Sequence, residues 1–100
     1  MAMKLKLMPR AERDLHELEF GTKTKDLAKL KRGRKCLALL EMNPRHPGLE
    51  CHEFKSLKGS NGEKVWEAYV ENRTTAAWRV FWHYGPGEDV ITVVAITAHP

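Results

Sequence analysis

Glu67, Tyr69 and Glu71 occupy alternate positions in one stretch of the chain, and Arg79, Phe81 and His83 do the same in the next. If both stretches are strands, each triplet points to one side of a sheet, and on paired strands the two triplets share that side. Together they hold the groups needed to cleave RNA through its own 2′-hydroxyl. That reaction needs a base for the hydroxyl proton, a cation for the charge that builds on phosphate, and an acid for the leaving 5′-oxygen. Arg79 suits the cation, because a guanidinium pairs with two phosphate oxygens at once. His83 titrates at about 6.5 when unperturbed and suits either proton transfer, with Glu67 or Tyr69 as its complement. The non-catalytic alternatives are an Arg79 ion pair across the sheet with Glu67 or Glu71, and a His83 that merely ends its strand.

These residues need elements to carry them. Lys4-Leu5-Lys6-Leu7 alternates as a short strand does, and Pro9 then opens a helix through Phe20 with Ala11, Leu15 and Leu18 on one side. Gly21 closes it, and Thr24 is expected to cap a second helix running to about Met42. On that helix Leu27, Leu30, Gly33, Leu37 and Leu40 form an apolar stripe, opposite Lys25, Lys29 and Arg32, with Lys35 nearby. Gly33 would permit close approach of a neighbouring helix. Past the Asn43-Pro44 and His46-Pro47-Gly48 breaks, strands are expected over 51–58, 65–71, 76–84 and 90–98. Trp66, Trp78 and Trp82 share parity with Ala68, Val70 and Val80, which reads as core and not as base-stacking platforms. The final strand is apolar on both faces and should be internal. The layout is α+β: an N-terminal strand, a helical hairpin, then a curled, mainly antiparallel sheet (β-α-α-β-β-β-β), with one face left open for a site.

The whole 100 residues read as one domain of net charge +4, with 42% apolar and 30% charged residues. Residues 1–40 carry eleven Lys/Arg against five Asp/Glu, whereas residues 41–100 carry six against eight. The basic surface therefore belongs to the first half, where Lys23 to Lys35 holds seven cations in thirteen residues, and this suggests a phosphate backbone or an acidic partner. Lys25, Lys29, Arg32 and Lys35, with Lys55, Lys58 and Arg73, are the expected RNA contacts. No apolar run reaches the ~20 residues of a membrane span and no leader pattern opens the chain, so a cytoplasmic location without membrane contact is expected. The two cysteines read as free thiols. Five scattered histidines show no metal-ligand spacing, and phosphate-loop and nucleophile-elbow motifs are absent, so no metal and no cofactor are expected.

The order of elements and several short motifs resemble the RelE/ParE toxin superfamily of bacterial toxin-antitoxin systems. The likeness rests on Leu39-Leu40-Glu41-Met42-Asn43-Pro44 followed by His46-Pro47-Gly48-Leu49, on Leu57-Lys58-Gly59, on Val65-Trp66-Glu67-Ala68-Tyr69-Val70, on Trp78-Arg79-Val80-Phe81-Trp82, and on the stretch from Val93 to His99. It implies a small basic toxin held by a cognate antitoxin, and it matches Arg79 to the family's arginine after an aromatic residue. RelE-type enzymes carry two lysines where this chain has Glu67 and Tyr69. Other branches use a histidine shortly before the Leu-x-Gly step, where this chain has Lys55, with His52 three residues earlier. Many members also place catalytic residues past the last strand, and His99 is the candidate there.

Two kinds of activity follow from the resemblance. One is a translation inhibitor that cuts mRNA on the ribosome without metal, using Arg79, His83, Tyr69 and Glu67. The other is a non-catalytic inhibitor that binds DNA gyrase, or an inactive relative that binds only an antitoxin.

Overall fold

The computed structural model describes residues 2–20, 27–70 and 78–98. The chain runs β1 (Lys4–Leu7), α1 (Pro9–Phe20), α2 (Leu27–Met42), a 3-10 turn (Pro47–Leu49), β2 (His52–Lys58), β3 (Lys64–Tyr69), β4 (Arg79–Tyr84) and β5 (Val90–Thr97). The five strands form one sheet in the order β1-β5-β4-β3-β2. β1 runs parallel to β5, and the other pairs are antiparallel. This is the α+β layout expected from the sequence, with β5 internal. The expected Thr24 cap and the turn over 72–75 fall outside the described residues.

Local chemistry accounts for the elements. Pro9 stands at the first position of α1, where a missing N–H costs nothing, and Glu12 N–H donates to Met8 O to close the first turn. Ala11 and Leu18 are buried along α1 and Leu15 is half-buried. On α2, Leu30, Cys36, Leu37 and Leu40 are buried, whereas Lys31, Arg32, Arg34 and Lys35 are exposed. Gly33 lies in the buried stripe, where a Cβ would approach Leu18 Cδ1 of α1 at 4.0 Å. Its cost of about 1 kcal/mol in helix propensity is outweighed by burial of the leucines beside it, each contributing about 2 kcal/mol. Asp14 of α1 also fastens the layers, because its Oδ2 accepts from the backbone N–H of Ile96 at 2.9 Å. Ile96 lies past the last residue of β5 that pairs with β1, Val93, so the carboxylate stands in for a strand partner.

The sheet separates two apolar clusters. The larger joins the helices to Ala68, Val70, Val80, Trp82, Ile91, Val93 and Ile96, with Trp66 and Trp78 packed against it, as their parity predicts. The smaller lies on the opposite face, where Val65, Phe81 and Ala95 are covered by Phe54, Leu57 and Val94. That face is therefore only partly open. β2 curls over it, and Phe54 meets Phe81 edge-on with ring centroids 4.9 Å apart.

A register shift in β2 produces the curl. Lys58 pairs with Lys64, and a regular ladder from there would place Lys55 opposite Glu67. Instead an irregularity between Glu53 and Lys58 takes up three residues and places His52 opposite Glu67.

Candidate functional site

Strand pairing assembles a polar cluster on the helix-free face. β3 and β4 pair Glu67 with Phe81 and Tyr69 with Arg79, and β2 brings in His52. Glu67 is buried, Arg79 and Tyr69 are half-buried, and the His52 side chain is 43% exposed. The cluster therefore has a buried carboxylate behind a solvent-facing imidazole.

His52 Nδ1 lies 3.1 Å from the backbone carbonyl of Glu50, and its Nε2 lies 2.5 Å from Glu67 Oε1. A carbonyl can only accept, so Nδ1 carries a proton. The Nε2···Oε1 contact then needs a second, shared proton, because a neutral imidazole protonated at Nδ1 presents a lone pair to the carboxylate. The pair thus acts as one acid–base unit. The Tyr69 hydroxyl lies 3.4 Å from the same Nε2, and the Tyr69 and His52 rings are tilted at 5.4 Å.

Arg79 sits on the other side of Tyr69, with its Cζ 5.2 Å from the ring centroid. Its NH1 is 3.6 Å from Glu67 Oε2, an ion-pair distance too long for a hydrogen bond. The ion pair across the sheet considered from sequence is therefore present in loose form. Glu67 Oε2 and Arg79 Nε are both buried without a hydrogen-bond partner. Buried polar groups in this state are costly, and an arriving phosphate would supply acceptors for the guanidinium.

The structure brings together Glu67, Tyr69 and Arg79 of the expected residues and leaves His83 apart. His83 shares their face but lies four residues beyond Arg79, about 13 Å along the strand, with the buried Phe81 between them. It is 4% exposed, and its Nδ1–H donates to Tyr84 O at 2.9 Å. Glu63 lies 3.9 Å from it. The Glu63 carboxyl is held below its ordinary range, first by its own backbone N–H and that of Asn61, with His83 contributing further. The β2–β3 turn closes over this histidine, and a Cβ at Gly59 would collide with Glu63 and come within 3.0 Å of His83 Cδ2.

The expected RNA contacts divide between the two sides of the sheet. Lys55 and Lys58 are exposed on β2, the strand that carries His52, and Lys58 lies 3.9 Å from Glu53. Arg32 and Lys35 are exposed on α2, in the helix layer behind the sheet. Lys25, Arg73 and His99 lie outside the described residues, as does the side chain of Lys29. His52 is the member of the cluster that sequence reasoning did not select. Its one signal was proximity to the Leu57-Lys58-Gly59 step, and the register shift concealed its pairing with Glu67. Among the described residues no cluster of His, Cys, Asp or Glu is arranged to hold a metal ion, and no helix is long and apolar enough to cross a membrane.

No protein-family model matches the sequence, and no curated protein matches it. Solved structures do. A YoeB/ParE toxin from Agrobacterium tumefaciens superposes with a TM-score of 0.68 at 13% identity, covering 98% of this chain and 100% of that one. The archaeal RelE-RelB complex from Pyrococcus horikoshii OT3 gives 0.65 at 16% identity, covering 97% and 94%. The YoeB dimer from Staphylococcus aureus gives 0.63 at 12% identity, covering all of both chains. Over nearly its whole length, the chain has the fold of the RelE, YoeB and ParE toxins.

Proposed function

We propose that the protein is the toxin of a toxin-antitoxin pair and that it cuts mRNA on the ribosome by transphosphorylation, with His52, Glu67, Tyr69 and Arg79 as the reacting cluster. The observation that carries the reading is the shared contact of His52 with Glu67 and Tyr69, flanked by an arginine whose donors are incompletely used. When the shared proton has left to solvent, His52 Nε2 takes the proton of the 2′-hydroxyl and Glu67 stabilises the imidazolium that results. The 2′-oxygen forms a bond to phosphorus, and the bond from phosphorus to the 5′-oxygen breaks. Tyr69 donates its hydroxyl proton to that leaving oxygen, while Arg79 neutralises the non-bridging oxygens. The 3.4 Å between Tyr69 and His52 then gives the proton a path back, and the cycle closes without metal.

The fold shared with toxins from toxin-antitoxin complexes supports a cognate antitoxin as partner and the cytoplasm, where ribosomes work, as the place of action. Lys55 and Lys58 would hold the substrate backbone beside His52, and Arg32 and Lys35 would grip ribosomal RNA from the helix layer. The direct test adds purified protein to ribosomes stalled on a defined mRNA and maps new 5′ ends by primer extension, with Arg79→Ala alongside. Cuts in the ribosomal A site that fall about 10²- to 10³-fold in the variant support the reading. An intact message with both proteins overturns it and leaves the gyrase-binding alternative, which growth suppressors mapping to gyrase would identify.

A further inference from the structure

A second polar feature lies on the opposite face of the sheet, beyond the end of α2. There the helices stop at Met42, and the 3-10 turn covers the ends of β3 and β4 incompletely. The resulting cleft, of about 370 Å³, is lined by Pro44, Arg45, His46, Pro47, Glu50, Cys51, Trp66, Trp82 and Tyr84. That volume is within the range of sites for small organic ligands. Its walls are flat and apolar: Trp66 and Trp82 stack at 6.3 Å, and Tyr84 meets Trp82 edge-on at 4.9 Å.

The polar groups of the cleft are mostly donors. The Trp82 indole N–H is buried and makes no hydrogen bond of ordinary geometry among the described residues, although Trp82 is 1% exposed. The nearby Cys51 thiol is a weak acceptor; burial pushes its pKa up and the Trp82 N–H pulls it partly back. His46 Nδ1 accepts from Gly48 N–H at 2.9 Å, which places the ring proton on Nε2 as a second donor. Arg45 is exposed and adds a cation at the rim, and Glu50 is the one acidic residue in the lining.

We propose that this cleft binds a planar heteroaromatic carboxylate, whose ring lies against the tryptophans with a ring acceptor facing the Trp82 N–H and whose carboxylate pairs with Arg45. An aromatic ring fits the wall geometry, a ring acceptor satisfies the buried donor, and a negative charge matches the guanidinium. The cleft is separated from the His52 cluster by the sheet itself, so the proposal is independent of the nuclease reading.

Nicotinate is the probe, and the readout is the indole N–H resonance of Trp82 in the full chain, assigned by its loss in Trp82→Phe or by its through-space contacts to Cys51. The expected result is a saturable shift with a Kd at or below about 1 mM. Nicotinamide, which lacks the charge, and benzoate, which lacks the ring acceptor, should each bind about tenfold more weakly. Arg45→Ala, a change at an exposed side chain, should weaken nicotinate to the level of nicotinamide. No saturable shift, a cleft filled by water alone, or equal response to all three compounds would overturn the proposal. Because Arg45→Ala leaves the tryptophans in place, undiminished nicotinate binding by that variant overturns it as well, even if Trp82→Phe does not fold.

Discussion

Trp82 and Phe81 are neighbours on β4, both essentially buried, and they face different environments. Trp82 closes a large core shared with two helices, whereas Phe81 anchors a small cluster roofed by β2 alone. The face with the small cluster also carries the buried Glu67 and its loose ion pair with Arg79. Stability is thus concentrated on the helix side, and incompletely paired polar groups are tolerated on the other. This fits the general expectation that local violations of good packing and pairing gather where function is.

The comparison can be broken most directly at the tryptophan. Trp82→Ala should cost about 4 kcal/mol in urea unfolding and Phe81→Ala about 3, because the smaller cluster can collapse around the void. Equal losses would mean that the two faces are equally structural. Glu67→Gln should reduce mRNA cleavage about 10²-fold and change the stability measured in urea by less than about 1 kcal/mol, since it removes the base partner of His52 and little packing. Loss of fold with loss of cleavage would make the cluster a structural element.

Cys36 sharpens the comparison from the helix side. Burial first, and then the neighbouring Cys51, pushes its pKa from 9.0 to about 12. Above about pH 9 the unfolded thiol loses a proton that the folded one keeps, so the unfolded chain binds fewer protons and stability falls as pH rises towards 12, by at most about 1.4 kcal/mol per unit. Urea midpoints at about pH 8 and about pH 10.5 should therefore differ less in Cys36→Ala than in the wild type. The smallest effect is expected at Lys35: Lys35→Ala should reduce by about 1 the slope of log affinity for ribosomes against log salt, with cleavage of the bound message unchanged. An unchanged slope would remove Lys35 from the RNA interface.

Much of this was legible in the sequence for stateable reasons. The stripe of Leu30, Gly33, Leu37 and Leu40 is a matter of helical period, and the split of Trp82 from Phe81 is a matter of strand parity. The meeting of Tyr69 with Arg79 follows from two adjacent strands. What the sequence did not yield was longer in range. Pairing of β2 with β3 was expected, but the irregular ladder that carries His52 to Glu67 depends on how Phe54 and Leu57 curl onto Phe81, a tertiary event without a local signature. The position of His83 escaped for the same reason: parity placed it on the right face, and only the closure of the β2–β3 turn shows that it is buried beside Glu63.

The shift in β2 also bears on how such a site could change over generations. Because three residues of strand are taken up between Glu53 and Lys58, the neighbour of Glu67 is set by segment length as well as by residue identity. A regular ladder would place Lys55 there, exchanging an imidazole for a primary ammonium without any substitution, while a one-residue change would turn the preceding or following side chain to that face. Insertions and deletions in this short segment therefore act as mutations of the reactive centre, and two descendants with identical side chains on β3 and β4 could inherit different chemistry.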